Sequence, residues 1–229
     1  MKYQAILFDV SDTLIQYNPN YGQIYGDRLR RVGYEISKEK ELEISIAVNL
    51  AICEEDRKKN LGIEKSTMNL EMIMDMAALS CVNVLDPSLD ELSRIPIPNQ
   101  QMEVIPGVFK VLEALHKRYR LAIVSNHYTW LKEKLMVMGL SKYFETIIIS
   151  EAVGVSKPDA RILQLAFQEL GLTPNDCLYV GDQPNDVLCA KSAGADCVWI
   201  AAANTRIPQT ITYKEDYKIA AIEELLHFL

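Results

Sequence analysis

Four short segments of the chain carry side chains that could perform chemistry together. They are Phe8 to Leu14, Val124 to Asn126, Ser156 to Pro158 and Gly181 to Asp186. Together they supply a carboxylate that could attack, a hydroxyl, an ammonium and two further acids. A phosphate ester under attack needs an in-line nucleophile, a divalent cation that neutralises its oxygens, and fixed donors around the phosphoryl group. The four segments therefore indicate a site for phosphoryl chemistry.

The elements that must position these segments are short apolar runs that alternate with amphipathic helical stretches. The alternation predicts an α/β fold with a doubly wound, Rossmann-like parallel sheet and helices on both faces. The predicted strands are Gln4 to Phe8, Leu121 to Ser125, Thr146 to Ile149, Cys177 to Val180 and Cys197 to Ala201. The four segments fall at the carboxyl ends of strands, where open parallel sheets place their ligand crevice.

One region of the chain has a different residue pattern. From Tyr17 to about Ile95 the sequence has no strand-like apolar run and is charged, rich in methionine and helical in period. The two prolines Pro96 and Pro98 follow it closely and cannot continue a helix. We therefore predict a core formed by residues 1–16 and 96–229 and a smaller all-helical domain formed by residues 17–95.

Composition narrows the classes of partner. The chain has 229 residues and a formal net charge of -7, so its summed field repels phosphate backbones and anionic lipid. We expect no nucleic-acid partner, no membrane span and no signal peptide. Five cysteines without a C-x-x-C pair fit neither a zinc ribbon nor a complete disulfide set, and predict a reducing, cytoplasmic location. The sequence does not decide the oligomeric state.

In order and spacing, the four segments resemble those of the haloacid dehalogenase superfamily, whose members are aspartate-nucleophile hydrolases with a helical cap inserted after the first strand. The resemblance implies that Asp9 is the nucleophile, forms an aspartyl-phosphate and binds magnesium. Asp182 resembles the metal-binding acid of the family, and Asp186 helps to hold the metal shell. Ser11 would lend its main-chain carbonyl to the metal. Hard oxygen ligands of this kind suit Mg²⁺.

The same resemblance places further residues around the phosphoryl group of a small phosphorylated substrate. Ser125 resembles the hydroxyl that bonds the phosphoryl oxygens, and Lys157 the cation that offsets charge between nucleophile and phosphate. We expect Asn126 and Thr13 to contribute to phosphate binding, with Thr13 also fixing its loop. His127 is a minority candidate for an acid or base.

The sequence departs from the phosphatases of the family at one position. They carry a second aspartate two residues after the nucleophile, which protonates the leaving alcohol and later activates water. Here the position is Ser11, whose hydroxyl cannot shuttle protons near pH 7. Asp12 follows it, but a shift of one residue in a tight turn normally points the side chain elsewhere. We therefore expect slow turnover by a magnesium-dependent phosphatase.

Three alternatives stay open. The chain could be an impaired enzyme that binds a phosphorylated ligand or a partner. It could be a haloacid dehalogenase, although those relatives work without a metal and have no need of the paired acids Asp182 and Asp186. Relatives that cleave phosphonates use a cap lysine as a Schiff base, and the spacing singles out none of the candidates Lys38, Lys40, Lys58, Lys59 and Lys65.

Overall fold

The structure is a computed structural model that describes residues 2–60, 68–82, 88–201 and 214–229. The parts of the predicted domains at 61–67, 83–87 and 202–213 lie outside the described residues, as do the side chains of Cys53, Asp56, Arg57, Lys59, Asn60 and Ser88. None of the helices in the described ranges is long and apolar enough to cross a membrane.

The described strands form two sheets. Their bounds are β1 Ala5–Phe8, β2 Ile15–Asn18, β3 Gln101–Val104, β4 Arg120–Ser125, β5 Thr146–Ile149, β6 Cys177–Gly181, β7 Asp196–Ile200 and β8 Tyr217–Ile219. Six of them form a parallel sheet in the order β5-β4-β1-β6-β7-β8, and β2 pairs with β3. The predicted α/β fold with a parallel sheet is confirmed.

The first strand lies inside the large sheet, which decides where its end points. Leu7 pairs with Ala122 of β4 on one side and with Tyr179 of β6 on the other. All four residues of β1 are fully buried, as expected for a strand covered on both faces. Because the strands run parallel, the carboxyl ends of β1, β4 and β6 meet at one edge of the sheet.

The helices are α1 Tyr21–Arg31, α2 Lys38–Asn60, α3 Leu70–Ser80, α4 Ser88–Ser93, α5 Val108–Leu115, α6 Leu131–Val137, α7 Ser150–Val153, α8 Arg161–Leu170 and α9 Pro184–Ser192. The sheet face that carries Leu7 and Tyr179 packs against α8 and α9 in one apolar cluster. Gly171 ends α8 in the left-handed conformation, with φ 64°, that suits glycine.

Contacts divide the chain into two units, one formed by Met1–Gln16 with Glu103–Leu229 and one by Tyr17–Met102. The second unit contains α1 to α4 around a core of its own that includes Tyr25, Leu29 and Ile44. Here α1 and α2 approach closely, since a Cβ atom at Gly22 would lie 2.2 Å from the main-chain oxygen of Glu41. A larger residue would force the two helices apart.

Three short strands were not predicted. The segments β2, β3 and β8 have three or four residues each and mix polar with apolar side chains, so no periodicity marks them. Strand β8 is ordered by pairing with β7, where Ile200 lies opposite Ile219. Pairing with a neighbour, rather than local sequence preference, forms these strands.

A buried ion pair holds the helical unit together. Arg28 of α1 and Asp75 of α3 are 4% and 2% exposed, and Nη1 lies 2.6 Å from Oδ1. The same guanidinium donates to the main-chain oxygens of Leu92, at 2.7 Å, and Ile95, at 2.9 Å. One side chain thus connects α1, α3 and the segment that ends the unit.

Removal of Asp75 leaves a buried positive charge without its partner. We expect Asp75→Ala to lower the free energy of unfolding by about 3 kcal/mol. The matched control is Asp27→Ala, which removes the exposed partner of Arg30 and changes the free energy by less than about 1 kcal/mol. Urea unfolding followed by circular dichroism measures both, and equal effects would contradict a structural role for the buried pair.

Candidate active site

The loop after β1 presents Asp9 at the carboxyl edge of the sheet. The Asp9 N–H donates to the main-chain oxygen of Val180 at 2.9 Å, which ties the loop to the end of β6. The main-chain oxygen of Val10 accepts from the N–H groups of Leu14 and Ile15 at 2.8 and 3.0 Å. The chain therefore turns sharply after Asp9, and these hydrogen bonds fix the backbone of the turn.

Three carboxylates converge at this edge, one from the loop after β1 and two from the turn and helix start after β6. Asp9, Asp182 and Asp186 each offer one oxygen within 4.8 Å of the others, and the residues are 5%, 7% and 0% exposed. Burial, together with the charges of Asp12, Asp186 and Asp9, raises the pKa of Asp182 well above its ordinary value. So much negative charge away from water is unfavourable unless cations compensate it.

Lys157 is the cation that the protein supplies. Its Nζ lies 2.6 Å from Asp9 Oδ1, 2.6 Å from Asp186 Oδ1 and 3.0 Å from the hydroxyl of Tyr179, and the residue is 4% exposed. Burial alone would lower the pKa of Lys157, but the charges of Asp186 and Asp9 outweigh it and raise that pKa well above the ordinary value. The ammonium stays charged and links the nucleophile candidate to α9.

The first turn of α9 fixes Asp186. The Gln183 N–H donates to Asp186 Oδ2 at 2.8 Å, and α9 begins at Pro184, where no main-chain donor is lost. A Cβ atom at Gly181 would lie 2.4 Å from the Asp186 carboxyl carbon, so glycine leaves the space for this acid. Burial raises the pKa of Asp186 although the charge of Lys157 opposes it.

Asp182 is held by three neighbours. Its carboxylate accepts from the hydroxyl of Thr13 at 3.3 Å and from the side-chain amide of Gln183 at 2.8 Å. Its main-chain oxygen accepts from the indole N–H of Trp199 at 2.8 Å. Thr13 therefore contacts Asp182, as well as lying in the loop that it was expected to fix.

Ser125 and Asn126 follow β4 directly. Ser125 is 1% exposed at the end of the strand. The side-chain amide of Asn126 donates to the main-chain oxygen of Lys157 at 2.9 Å, and its oxygen accepts from the Lys157 N–H at 2.7 Å. Asn126 thus holds the backbone of the lysine loop, the segment between α7 and α8 that contains Lys157. The sequence did not predict this contact. A role for Asn126 in phosphate binding stays a prediction.

The acid and base candidates on the loops have distinct environments. Asp12, next to Ser11, is in the left-handed region with φ 54°, and partial loss of hydration together with the charge of Asp9 raises its pKa to about 6. Nδ1 of His127 accepts from the N–H of Tyr128 at 2.8 Å, and burial lowers the pKa of His127. The histidine is thereby favoured in its neutral form.

Sequence reasoning missed Tyr179, Gln183 and Trp199, although all three contact the acids or Lys157. A signal was available for two of them. A tyrosine or tryptophan inside a strand that is buried on both faces needs a hydrogen-bond partner for its polar atom. Gln183 gave no such signal, because its contacts depend on the local geometry of the turn before α9.

The acids of the site and Lys157 lie in a part of the chain that matches a known protein family. Residues 6–200 match the family described as haloacid dehalogenase-like hydrolase, a range that contains all the acids of the site and Lys157. The chain belongs to this family. As a hydrolase of this family, it combines the parallel sheet with carboxylates that follow β1 and β6 and with Lys157 from the segment between α7 and α8.

Three relatives illustrate what the hydrolase resembles. It is 24% identical to a glyceraldehyde 3-phosphate phosphatase of Methanothermobacter thermautotrophicus, over 97% of this chain and 96% of the relative. It is 27% identical to a phosphoserine phosphatase of Thermus thermophilus, over 86% and 88%. The solved structure of a dehalogenase superposes with a TM-score of 0.66 at 20% identity, covering 100% of this chain and 97% of that one, which shows the fold.

The candidate lysines for phosphonate cleavage have other partners. Lys38, Lys40 and Lys58 form ion pairs with Glu41, Glu43 and Glu55 on the same helix. The side chain of Lys59 and the whole of Lys65 lie outside the described residues. The paired lysines are the ordinary surface lysines of a charged helix.

The donor set of the hydrolase fits a magnesium ion. Its ligand candidates are buried carboxylate oxygens, the hard donors that Mg²⁺ prefers. Asp9 Oδ1 is buried and, apart from its ion pair with Lys157, accepts no well-directed hydrogen bond from the described residues. Such an oxygen has a lone pair left for a cation.

We expect Asp182→Asn to raise the Tm of the metal-free hydrolase at pH 7. Because the folded state raises the pKa of Asp182, ionisation of this carboxyl destabilises folding once the pH exceeds its ordinary pKa of 3.8. A gain of about 1 kcal/mol would shift Tm by about 2–4 °C. We expect Mg²⁺ to raise the Tm of the native chain, and the variant should lose most of that rise.

The control is Glu145→Gln, which removes a carboxylate that pairs with Arg120 at the start of β4, the opposite end of the strand from Ser125. It should leave the response to Mg²⁺ unchanged. Calorimetric melting with and without Mg²⁺ measures all three proteins, and an equal response to Mg²⁺ in native protein and Asp182→Asn would exclude Asp182 as a ligand.

Proposed function

We propose that the hydrolase is a magnesium-dependent phosphatase that removes phosphate from a small phosphorylated metabolite through an aspartyl-phosphate at Asp9. The observation that carries the proposal is the buried group of three carboxylates with a single ammonium between two of them. The site can compensate an arriving phosphoryl group only with an additional cation, which a metal would supply. The two phosphatase relatives support the same class of substrate.

In the first step the Asp9 carboxylate attacks the phosphorus, and the bond between phosphorus and the alcohol oxygen breaks. The new bond is an acyl-phosphate on Asp9, and the leaving alkoxide takes its proton from water. Lys157 and Ser125 orient and stabilise the phosphoryl oxygens, and Asn126 holds the lysine loop. When bound by Asp9, Asp182 and the Ser11 carbonyl, Mg²⁺ would neutralise the charge on those oxygens.

In the second step a water molecule attacks the phosphorus, the bond to Asp9 breaks, and inorganic phosphate leaves. Ser11 stands where phosphatases of the family carry an acid that would activate this water. General acid and base help typically contributes about 100-fold to 10,000-fold. We therefore expect both steps to be slow. With an aryl phosphate, whose leaving group needs little protonation, the second step should be the slower one, so that the acyl-phosphate accumulates.

We place the enzyme in the cytoplasm, on the ground that the described cysteines Cys81, Cys177, Cys189 and Cys197 are free thiols. The presence of Asp182 and Asp186 in the carboxylate group favours a phosphatase over a dehalogenase, since dehalogenation needs neither acid. A protein that binds a phosphorylated ligand without turnover is the second candidate, and Ser11 is the observation that favours it.

One assay separates these functions. Phosphate release is measured with Mg²⁺ from an aryl phosphate, glyceraldehyde 3-phosphate and phosphoserine, for the native chain, Asp9→Asn and Ser11→Asp. We expect slow native turnover that falls more than about 1,000-fold in Asp9→Asn, because the amide is not a nucleophile. Ser11→Asp should raise turnover about 100-fold, because it restores the missing proton shuttle.

The outcomes that contradict the proposal are distinct. Equal phosphate release by the native chain and Asp9→Asn would remove Asp9 as the nucleophile. Release by Ser11→Asp alone would favour the ligand-binding protein. Halide release from a 2-haloacid in the presence of a chelator would favour the dehalogenase.

A further inference from the structure

The hydroxyl of Tyr179 lies at the centre of the buried polar network. It is 3.0 Å from Lys157 Nζ, 2.9 Å from the main-chain oxygen of Val124 and 3.1 Å from Asp186 Oδ1, and the residue is 1% exposed. None of the four sequence segments that predicted the site contains this tyrosine. Its contacts nevertheless join the lysine, one of the acids and the strand that ends in Ser125.

The donors and acceptors of the network can be assigned from chemistry. The ammonium of Lys157 has three N–H donors, and its three near neighbours are Asp9, Asp186 and Tyr179. The Tyr179 hydroxyl must accept from the lysine, because the ammonium cannot accept. Its single proton is donated to the main-chain oxygen of Val124 or to Asp186 Oδ1, both of which can only accept. Burial and the charges of Asp186 and Asp9 raise the pKa of Tyr179, so the proton stays in place.

The position of Tyr179 in the sheet explains why it can make these contacts. It lies on β6 opposite Leu7 of β1, and β4 lies on the other side of β1. The side chain therefore spans β1 to reach the carbonyl of Val124, one residue before Ser125. It stands on the face that packs against α8 and α9, where its ring is enclosed by apolar side chains. A tyrosine held in this way is a rigid support.

We propose that Tyr179 is a positioning residue that aims the Lys157 ammonium between Asp9 and the phosphoryl group by fixing it to the backbone of the Ser125 strand. The inference rests on the proposed phosphatase function for its effect on turnover. Of the three partners that the described residues offer the ammonium, the hydroxyl is the neutral one. It gives direction without adding to the negative charge of the site.

The test removes one oxygen atom and keeps the ring. In Tyr179→Phe we expect kcat for an aryl phosphate with Mg²⁺ to fall about tenfold, with KM changed less than kcat, because misdirection of a catalytic group mainly raises the barrier. The matched control is Tyr119→Phe, which removes a hydroxyl that donates to the main-chain oxygen of Leu229 at 2.8 Å in the same unit. Its kcat should stay within about twofold of native.

A second readout does not depend on activity. A buried ammonium held by three acceptors exchanges its protons slowly, so the Lys157 side chain should give a resolved ¹H–¹⁵N signal, assigned by its loss in Lys157→Arg. We expect this signal in the native chain and Tyr119→Phe, and its broadening or loss in Tyr179→Phe.

The two readouts separate failure of the inference from failure of the proposed function. Equal kcat in Tyr179→Phe and Tyr119→Phe, or an unchanged Lys157 signal in Tyr179→Phe, would overturn the positioning role. If the native chain shows no turnover above Asp9→Asn, the phosphatase proposal fails, and the Lys157 signal alone then decides whether the hydroxyl orders the lysine.

Discussion

The contact between the Lys157 ammonium and the carboxylates of Asp9 and Asp186 is the interaction on which the site depends. Three buried acids and one lysine leave two negative charges uncompensated when all are ionised. Each acid is nevertheless held close to the others, because it lies in a turn or at a helix start that directly follows a strand. Burial, together with the charges of Asp12, Asp186 and Asp9, raises the pKa of Asp182, and the uncompensated charge would favour a divalent cation at this site.

Much of this arrangement could be predicted from the sequence, because it depends on strand order at one edge of a parallel sheet. Asp9 and Asp182 each follow an apolar run, and the rule that ligands bind at the carboxyl ends of strands brings them together. Contacts that depend on side-chain reach could not be predicted. Tyr179 spans a neighbouring strand, and Asn126 turns back to the backbone of Lys157. Strand β8 escaped prediction because its pairing partner, and not its own composition, orders it.

In the proposed phosphatase, binding of the phosphoryl group and its fast transfer are separate properties. The described carboxylates and Lys157 would bind a phosphoryl group and a metal, whereas Ser11 would not supply the proton shuttle that the resemblance to the family's phosphatases implies at its position. Asp12 brings a carboxyl with a raised pKa to the same loop, but its backbone is in the left-handed region, one residue away from the family position. We therefore expect an enzyme that transfers phosphate from an aryl ester to Asp9 more readily than from Asp9 to water.

The difference in rate between the two steps can be measured directly. The native chain is mixed with an aryl phosphate and Mg²⁺, quenched in acid during turnover, and digested for mass spectrometry of the peptide that contains Asp9. We expect a phosphoryl group on Asp9 that accumulates because its hydrolysis is slow. Phosphate release with no phosphorylated Asp9, or with the phosphoryl group on another residue, would contradict it.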